Sequence, residues 1–493
     1  MRYWSVRARQ GNPHVTRDAI RRSFARDFFH QTRYTPRPMV RWGVEGLTMA
    51  AFALLAAALT VSDGHDQPVA VLATLASALG CSLAAMQARR TVSEVAVSPA
   101  AALVVAIAFA ITGLVRSPGG LTARVTMGAP YVAIAFAMLC VIGSYVADVR
   151  AGALLEEGWR RWRPLGLIAL SGALGVWMLR ASPAPAIDVW TIQQQAAEKL
   201  LAGKSVYEPG AISALDSHSF DHVVGSYIYP PLDIVLATAS FALTGETRFA
   251  ALVSILAGGW LLRAIARRTE SAPSAAPDLL MACLLVHPRG LFVLDQAWGE
   301  PLALPFLGGF AVAYLIKKPA VAALLLGLLC GVKQHLVLYL PALALLPGIG
   351  LRGVFVALVT VVATYLPFVL WDHHGMWSAL VGHHLGNPFR SDSLSLTALL
   401  WNAGILLPMW LGFVAALASF AVVWCVPRQL GTLLLASTLP FFGFYLFGRQ
   451  AFCNYYYLLD ATLLFAAAAM GSPDRSPGLW PAPTEKATFP SPR

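Results

Sequence analysis

The sequence predicts an all-α polytopic membrane protein, a bundle of about fourteen transmembrane helices with one interfacial helix in its first long outer loop. Three observations carry that expectation. The 493 residues are 57% hydrophobic and 12% charged, about half the charged share of a soluble domain. Mean hydropathy is +0.63. Apolar runs of roughly span length recur from residue 46 to residue 470. Composition therefore argues against a soluble globular enzyme. The net charge of +11 is concentrated, because residues 1–43 hold ten Arg against two Asp. That asymmetry is a topology signal rather than the spread basic face of a nucleic-acid binder, so no nucleic-acid partner is expected.

In chain order, residues 1–43 read as a basic cytoplasmic tail. Within it, 15–29 repeat Ile20, Phe24 and Phe28 every four residues between arginines. This is the pattern of an amphipathic helix on the membrane surface, or else of a disordered basic tail. No cleavable signal peptide is visible ahead of the first apolar run. Spans are expected near 46–62, 68–88, 98–115, 129–147 and 164–180. After a polar stretch they resume near 248–266, 277–294, 301–316, 319–333, 335–347, 352–371, 405–426, 430–447 and 454–470. Residues 471–493 read as a disordered tail rich in Pro. Six cysteines without a CxxC pair read as small core residues.

Alternating these spans puts Arg89–Arg90, the arginines of 149–163, Arg267–Arg268, Lys317–Lys318, Arg352 and Arg428 on the side of the basic tail. That side is then cytoplasmic, with Arg116 and Arg124 as exceptions. Residues 231–245 are apolar but short. If they crossed, Arg267–Arg268 would emerge outside, so they are expected to lie in the interface or re-enter. The opposite, extracytoplasmic side receives 181–247, the turn at 295–300 and 372–395.

Ionisable and polar residues near that face come from separate segments: Asp188, Lys199, Lys204, Tyr207, Tyr227, Tyr229, Asp233, Asp295, Gln296, Glu300, Lys333, His335, Arg390, Asp392, Arg449, Asn454 and Tyr455–Tyr457. Charges at a membrane edge are costly unless they have partners or a task. Pro183 and Pro185 end one helix, and Asp188 starts another with Ile192, Ala196, Leu200 and Leu201 on one face. Gly203 stops it. YIYPPLDI at 227–234 then brings two tyrosines to a rigid Pro-Pro.

Several segments resemble the GT-C class of membrane glycosyltransferases, in particular the bacterial polyprenyl-phosphate-mannose-dependent mannosyltransferases and their actinobacterial relatives. They are the Asp after a helix in IDVWTIQQQAAEKLLAGKSVYEP (187–209), YPP at 229–231, HPRGLFVLDQAWGEPLALPFL (287–307), GLLCGVKQHLVLYLP (327–341), NPFRSDSLSL (387–396) and FCNYYYLL (452–459). The likeness covers about residues 164–470. Residues 44–148 stand outside it as four additional N-terminal helices, leaving 149–470 as the catalytic module. Val189 follows Asp188 where one branch of the class has a second acidic residue, which leaves divalent-metal use open.

The resemblance implies a bacterial plasma-membrane enzyme. It would transfer a glycosyl unit, mannose or another hexose or pentose, from a polyprenyl-phosphate donor to the hydroxyl of a lipid or glycan acceptor. An alcohol is a weak nucleophile, so a carboxylate must take its proton. Asp188 is the candidate base, although Asp also favours helix starts as an N-cap. Phosphate leaves as an anion, so a second acid is not required, unlike the pair in glycosidases. Lys333, Arg449 and Arg390 are candidate donor-phosphate cations; each also has a bland reading as a snorkelling or headgroup-binding side chain. Tyr207, Tyr229, Asp295, Gln296, Glu300, His335 and Asn454 are candidate sugar or acceptor contacts, and the tyrosines alternatively anchor the interface. No cofactor is expected: neither a Walker nor a dinucleotide fingerprint appears. His218/His222 and His373, His374, His383 and His384 lack a metal-site signature. The rival class is a polytopic transporter or lipid flippase, which would show internal repeats and charges near the midplane.

Overall fold

The computed structural model describes residues 44–90, 104–106, 108, 112, 128–151, 157–215, 223–269, 276–386, 388–408 and 410–470. The tails 1–43 and 471–493, with the amphipathic helix expected at 15–29, lie outside these residues. So does most of the span expected at 98–115.

The described chain is helical apart from a two-residue antiparallel ladder. In order the helices are α1 (Val44–Ser62), α2 (Pro68–Arg90), α3 (Ala129–Ala151), α4 (Glu157–Ala181) and α5 (Asp188–Leu201). Strands β1 (Ala214–Leu215) and β2 (Val223–Val224) follow, with Ala214 opposite Val224. Then come α6 (Pro231–Thr244), α7 (Phe249–Thr269), α8 (Ala276–Leu285), α9 (Gly290–Asp295), α10 (Leu304–Leu315), α11 (Pro319–Val332), α12 (Tyr339–Leu343), α13 (Gly350–Trp377), α14 (His383–Gly386), α15 (Leu396–Asn402), α16 (Leu411–Cys425), α17 (Leu430–Leu446) and α18 (Cys453–Met470).

Among the described residues, five helical segments are long and apolar enough to cross a bilayer: Val44–Ser62, Pro68–Ala88, Trp162–Ala181, Phe249–Thr269 and Gly350–Gly386. The chain is a helical membrane protein. Its outward face agrees with that, since α13 exposes Leu351, Phe355, Val359, Val362, Leu366 and Leu370. In water such a stripe would be a large apolar patch; against acyl chains it is solvated.

The count of fourteen full crossings is where the expectation and the structure part. Seven further apolar helical stretches among the described residues run to only 10–17 residues. At 1.5 Å per residue, a 14-residue helix such as α11 is about 21 Å long, short of a hydrocarbon core of about 30 Å. The run expected as one span at 277–294 is two helices, α8 and α9, interrupted at Val286–Arg289 where Pro288 stands. The run at 335–347 is a 3-10 turn (Gln334–Leu338) followed by the five-residue α12. Apolar composition alone does not separate one long helix from several broken ones.

α17 and α18 are buried on nearly every side and form the centre of the packing. The α1–α2 hairpin packs against them rather than standing apart as an accessory module. Arg289, the last residue of the break after α8, donates to the carbonyls of Leu59 (3.3 Å) and Thr60 (3.0 Å) at the end of α1, and pairs with Asp63. The described residues from Val44 to Met470 fall within one compact unit.

Of the cysteines, Cys81, Cys283, Cys330 and Cys453 are buried as expected of core residues, whereas Cys140 and Cys425 are exposed.

Two local features position the polar residues. α5 begins at Asp188 and ends at Leu201, followed by Gly203 at φ +68°, a left-handed turn that suits glycine. Its buried face is Val189, Ile192, Gln193, Ala196 and Ala197; Leu201, expected on that face, is exposed. Secondly, α11 carries Gly327 and Gly331 four residues apart. A Cβ on Gly327 would stand 2.5 Å from the Ala357 carbonyl of α13, and one on Gly331 would stand 3.1 Å from Thr364 Oγ1 of the same helix, with Leu232 of α6 at an ordinary 3.5 Å. These bare positions let α11 seat closely against α13. The contact at Leu232 brings the C-terminal end of α11 beside the first turn of α6.

Candidate active site

Lys333 follows α11 in extended conformation (φ −144°, ψ 146°), which turns its side chain away from the helix it ends. Its ammonium donates to Glu300 Oε1 at 2.5 Å and lies 5.0 Å and 5.7 Å from the ring centroids of Tyr229 and Tyr455. Both charged groups are buried. An aromatic cage of this kind gives a desolvated cation part of what water would have supplied.

Asp233, in the first turn of α6, is fully buried beside the pair. Pro230 and Pro231 start that helix, with Pro at its first position, where the missing N–H costs nothing. Tyr227 donates its hydroxyl to Asp233 Oδ1, and Gln193 of α5 approaches the same oxygen at 3.5 Å. Gly299 separates Asp233 from Lys333. A Cβ there would collide with Asp233 Oδ2 and stand 3.3 Å from Lys333 Cε.

Two buried carboxylate oxygens here, Asp233 Oδ2 and Glu300 Oε2, have no hydrogen-bond partner among the described residues, and Asn454 Oδ1 of α18 is a further buried acceptor without one. Buried polar atoms are usually satisfied, so two such oxygens beside an ammonium have capacity for a proton, water or ligand. Backbone strain sits at the same point: Ala297 holds φ +54°, a left-handed conformation that costs a residue with a Cβ of order 1 kcal/mol.

Asp188 stands at the rim of this cluster. It is the first residue of α5, with Ile187 as N-cap, and its Oδ1 accepts from the Val189 N–H at 2.9 Å. Its carboxylate therefore sits at the positive end of the helix. Tyr229 is the junction. Its ring lies 5.0 Å from the Lys333 ammonium and meets the ring of Tyr227, the donor to Asp233, edge-on at 5.6 Å. Ile187, Val189, Ala297, Trp190, Tyr229 and Trp298 pack together around it.

The remaining candidates fall into other places. Tyr207 is a buried clamp whose hydroxyl donates to the Tyr229 carbonyl at 2.8 Å, which fixes the strand entering Pro230 rather than presenting a hydroxyl. Asp295 and Gln296 belong to a separate tie. Gln296 Nε2 donates to Asp295 Oδ2 at 3.0 Å, and Arg248 Nη1 lies 3.6 Å from Asp295 Oδ1. Arg248 also grips Glu246 through two nitrogens and donates to the Ser182 carbonyl at 2.8 Å, while Trp190 donates to Glu246 at 3.2 Å. This tie locks the α4–α5 and α6–α7 turns together. Neither Arg248 nor Glu246 was expected, and the ETR triplet at 246–248 was the available signal.

His335 is half-buried among Tyr455, Tyr445 and Phe441, at centroid distances of 5.4, 5.8 and 6.2 Å. Tyr455 thus lies against both His335 and Lys333. Arg390 lies over the Phe452 ring, 4.6 Å from its centroid, with its fork filled by Asp392 (2.7 and 2.6 Å). Arg449 donates to the Leu385 carbonyl at 2.8 Å, and its own carbonyl accepts from Arg390 N at 3.2 Å. The two arginines are therefore neighbours, and each has an internal contact that a phosphate would have to share or displace.

Near Arg390, Asp392 is linked to His65 in the α1–α2 turn (Nδ1 to Oδ2, 3.7 Å). Hydrogen bonding to Asp392 raises the His65 pKa. Burial pushes Asp392 upward, but the bonds from His65 and Arg390 outweigh it and hold this carboxyl below its usual range. Among the described residues, no group of three or more His, Cys, Asp or Glu side chains is arranged to hold a metal ion. His218 and His222 lie outside the described residues.

Compared with family models, curated proteins and solved structures, the chain matches none.

Proposed function

We propose that this chain is a membrane glycosyltransferase of GT-C type, moving a glycosyl unit from a polyprenyl-phosphate donor to an acceptor hydroxyl on the extracytoplasmic side of a bacterial plasma membrane. The observation that supports the reading is the packing of Ile187 and Val189, which flank the helix-start carboxylate Asp188, against Tyr229, whose ring lies 5.0 Å from the buried ammonium of the Lys333–Glu300 pair.

In the proposed step Asp188 takes the acceptor O–H proton as that oxygen bonds to the anomeric carbon. The carbon–oxygen bond to phosphate breaks, and polyprenyl phosphate departs with the electron pair. Lys333, already caged by Tyr229 and Tyr455, meets the developing phosphate charge by exchanging or sharing its contact with Glu300. Asp233 and Asn454 offer acceptors to sugar hydroxyls.

The test is transfer from labelled polyprenyl-phosphate sugar by purified protein in lipid nanodiscs. A labelled covalent product is expected with wild type, and Asp188→Asn should lower its rate by about 10²–10⁴-fold. Absence of product across donor sugars and acceptors rejects the reading.

The rival, a transporter or flippase, has one observation of its own. His287 Nε2 lies 3.0 Å from Asp460 Oδ2, both fully buried in the bundle and apart from the Lys333 cluster. Movement of intact labelled lipid across vesicles without covalent product favours that class.

A further inference from the structure

A cavity of about 810 Å³ lies away from the Lys333 cluster, between the loop after α5 and the end of α13. That volume is within the range of about 300–1,000 Å³ usual for small-molecule sites. Lys199, Lys204 and Glu208 line one side, and Trp371, Asp372 and His374 line the other.

The two walls are fastened to each other. α13 breaks at Asp372 (φ −153°, ψ 77°). Ser205 Oγ donates to Asp372 Oδ2 at 2.9 Å, and the Gly375 N–H donates to Asp372 Oδ1 at 2.9 Å. Gly375 lies so close to the loop that a Cβ on it would stand 2.5 Å from the Tyr207 carbonyl. The cavity is thus held open by a bonded floor.

Its lining has a definite chemical character. The lining carries two ammonium groups, two carboxylates and an imidazole, with Asp372 across from the lysines, so no large net charge favours an anion or a cation. These polar groups stand beside Trp371, which is half exposed. A sugar ring has matching features: hydroxyls that both donate and accept, and an apolar C–H face for an aromatic ring.

Position adds the rest. Lys199 is eleven residues after Asp188 on α5, which places the two about 16 Å apart and about 20° from each other around the helix. Between them Gln195 is bridged to Ser213, Nε2 to the carbonyl at 3.1 Å and Oε1 to the N–H at 2.9 Å. A ligand in this cavity therefore does not have its reacting atom there.

We propose that the cavity binds the uncharged glycan portion of an extended acceptor, several sugar rings removed from the hydroxyl that is glycosylated. The proposal rests on the transferase reading for its role, but the binding itself does not. The acceptor spans α5, with its reacting end at Asp188 and its body on Trp371.

Two arms test it with full-length protein in nanodiscs. In the first, a soluble neutral manno-oligosaccharide is titrated without donor, by saturation-transfer NMR and calorimetry. Wild type should bind it, Trp371→Ala and Lys204→Ala about tenfold more weakly, with unchanged melting temperature. No binding by wild type, equal binding by both variants, or preference for an acidic oligosaccharide overturns the proposal. In the second arm, Trp371→Ala should raise KM about tenfold for a long glycan acceptor while leaving kcat, and all parameters for a short alkyl glycoside, unchanged. Equal effects on both acceptors overturn it. If wild type transfers to neither, the transferase reading fails and the first arm alone decides the cavity.

Discussion

Replacing Lys333 by methionine keeps the length of the side chain and removes its ammonium. Glu300 would then be a fully buried carboxylate whose Oε1 has lost its 2.5 Å donor and whose Oε2 had no partner beforehand. Stranding one member of a buried ion pair costs about 3–5 kcal/mol, because desolvation of the remaining charge is no longer offset. At a few degrees per kcal/mol for a large domain, the expected fall in melting temperature is roughly 5–10 °C. Adding Glu300→Gln removes the stranded charge, so Lys333→Met/Glu300→Gln should recover most of the loss. If the pair only stabilised the fold, the double variant would also recover transfer. If Lys333 meets the donor phosphate, the double variant folds and stays inactive. Fluorescence-detected size-exclusion melting curves of the three variants, followed by the labelled-donor assay, supply both readings. A Lys333→Met protein that melts with wild type would refute the energetic argument, and a fully active double variant would remove Lys333 from catalysis.

Gly299→Ala introduces a Cβ that overlaps Asp233 Oδ2, so a loss of about 1–3 kcal/mol is expected. In a double-mutant cycle Asp233→Ala should relieve most of that loss, and additive losses would show that the clash lies elsewhere. Arg248→Ala leaves Asp295 and Glu246 facing each other without their cation, at an expected cost of about 3–5 kcal/mol, read as reduced monodisperse yield and a lower melting point. The His65–Asp392 contact, half exposed, is worth at most about 1 kcal/mol. Because His65 titrates above its unfolded value, its contribution is complete below about pH 6.5 and disappears as pH rises through the raised pKa. Asp392 titrates below its unfolded value, so its share is present above about pH 4 and is lost only in stronger acid. The melting temperature should therefore decline between neutral and mildly alkaline pH by an increment that His65→Ala abolishes; an unchanged slope in that variant excludes His65.

Local chemistry was legible where one or two residues decide an outcome. The start of α5 at Asp188 and its stop at Gly203 follow from proline, aspartate and glycine, and α6 begins where Pro230–Pro231 require. Glu300 and Lys333 could be picked out because buried charges are rare. Their pairing could not, since it depends on how the end of α11 packs beside the turn at Glu300–Ala303. Asp233 was visible as a polar residue near the outer face, yet its orphaned oxygen exists only once Gly299 and Tyr227 are in place. Periodicity gave no help for α17, whose residues are buried all round and so have no polar face to mark. Nor could it expose the break at 286–289, because both sides of it are equally apolar. The left-handed Ala297 is a tertiary effect with no residue-type signature.

The N-terminal hairpin has a consequence for the site that its separate position in the sequence hides. Arg289 binds the last carbonyls of α1, and His65 forms a bridge with Ser393. Asn402 Nδ2 also donates to Asp66 Oδ2 at 2.5 Å. The segment so anchored, 388–395, contains Arg390, and it is held from its other side by the backbone of Arg449 and Ala451. Leu394 also accepts from the hydroxyl of Tyr456, one residue beyond the tyrosine that cages Lys333. The α1–α2 turn is thus three contacts away from the buried ammonium. A hairpin that merely thickened the bundle would need none of these polar ties, and apolar packing with α18 would suffice. Their placement at one end of the hairpin, on the segment bearing Arg390, argues that α1 and α2 hold the wall of the site in register.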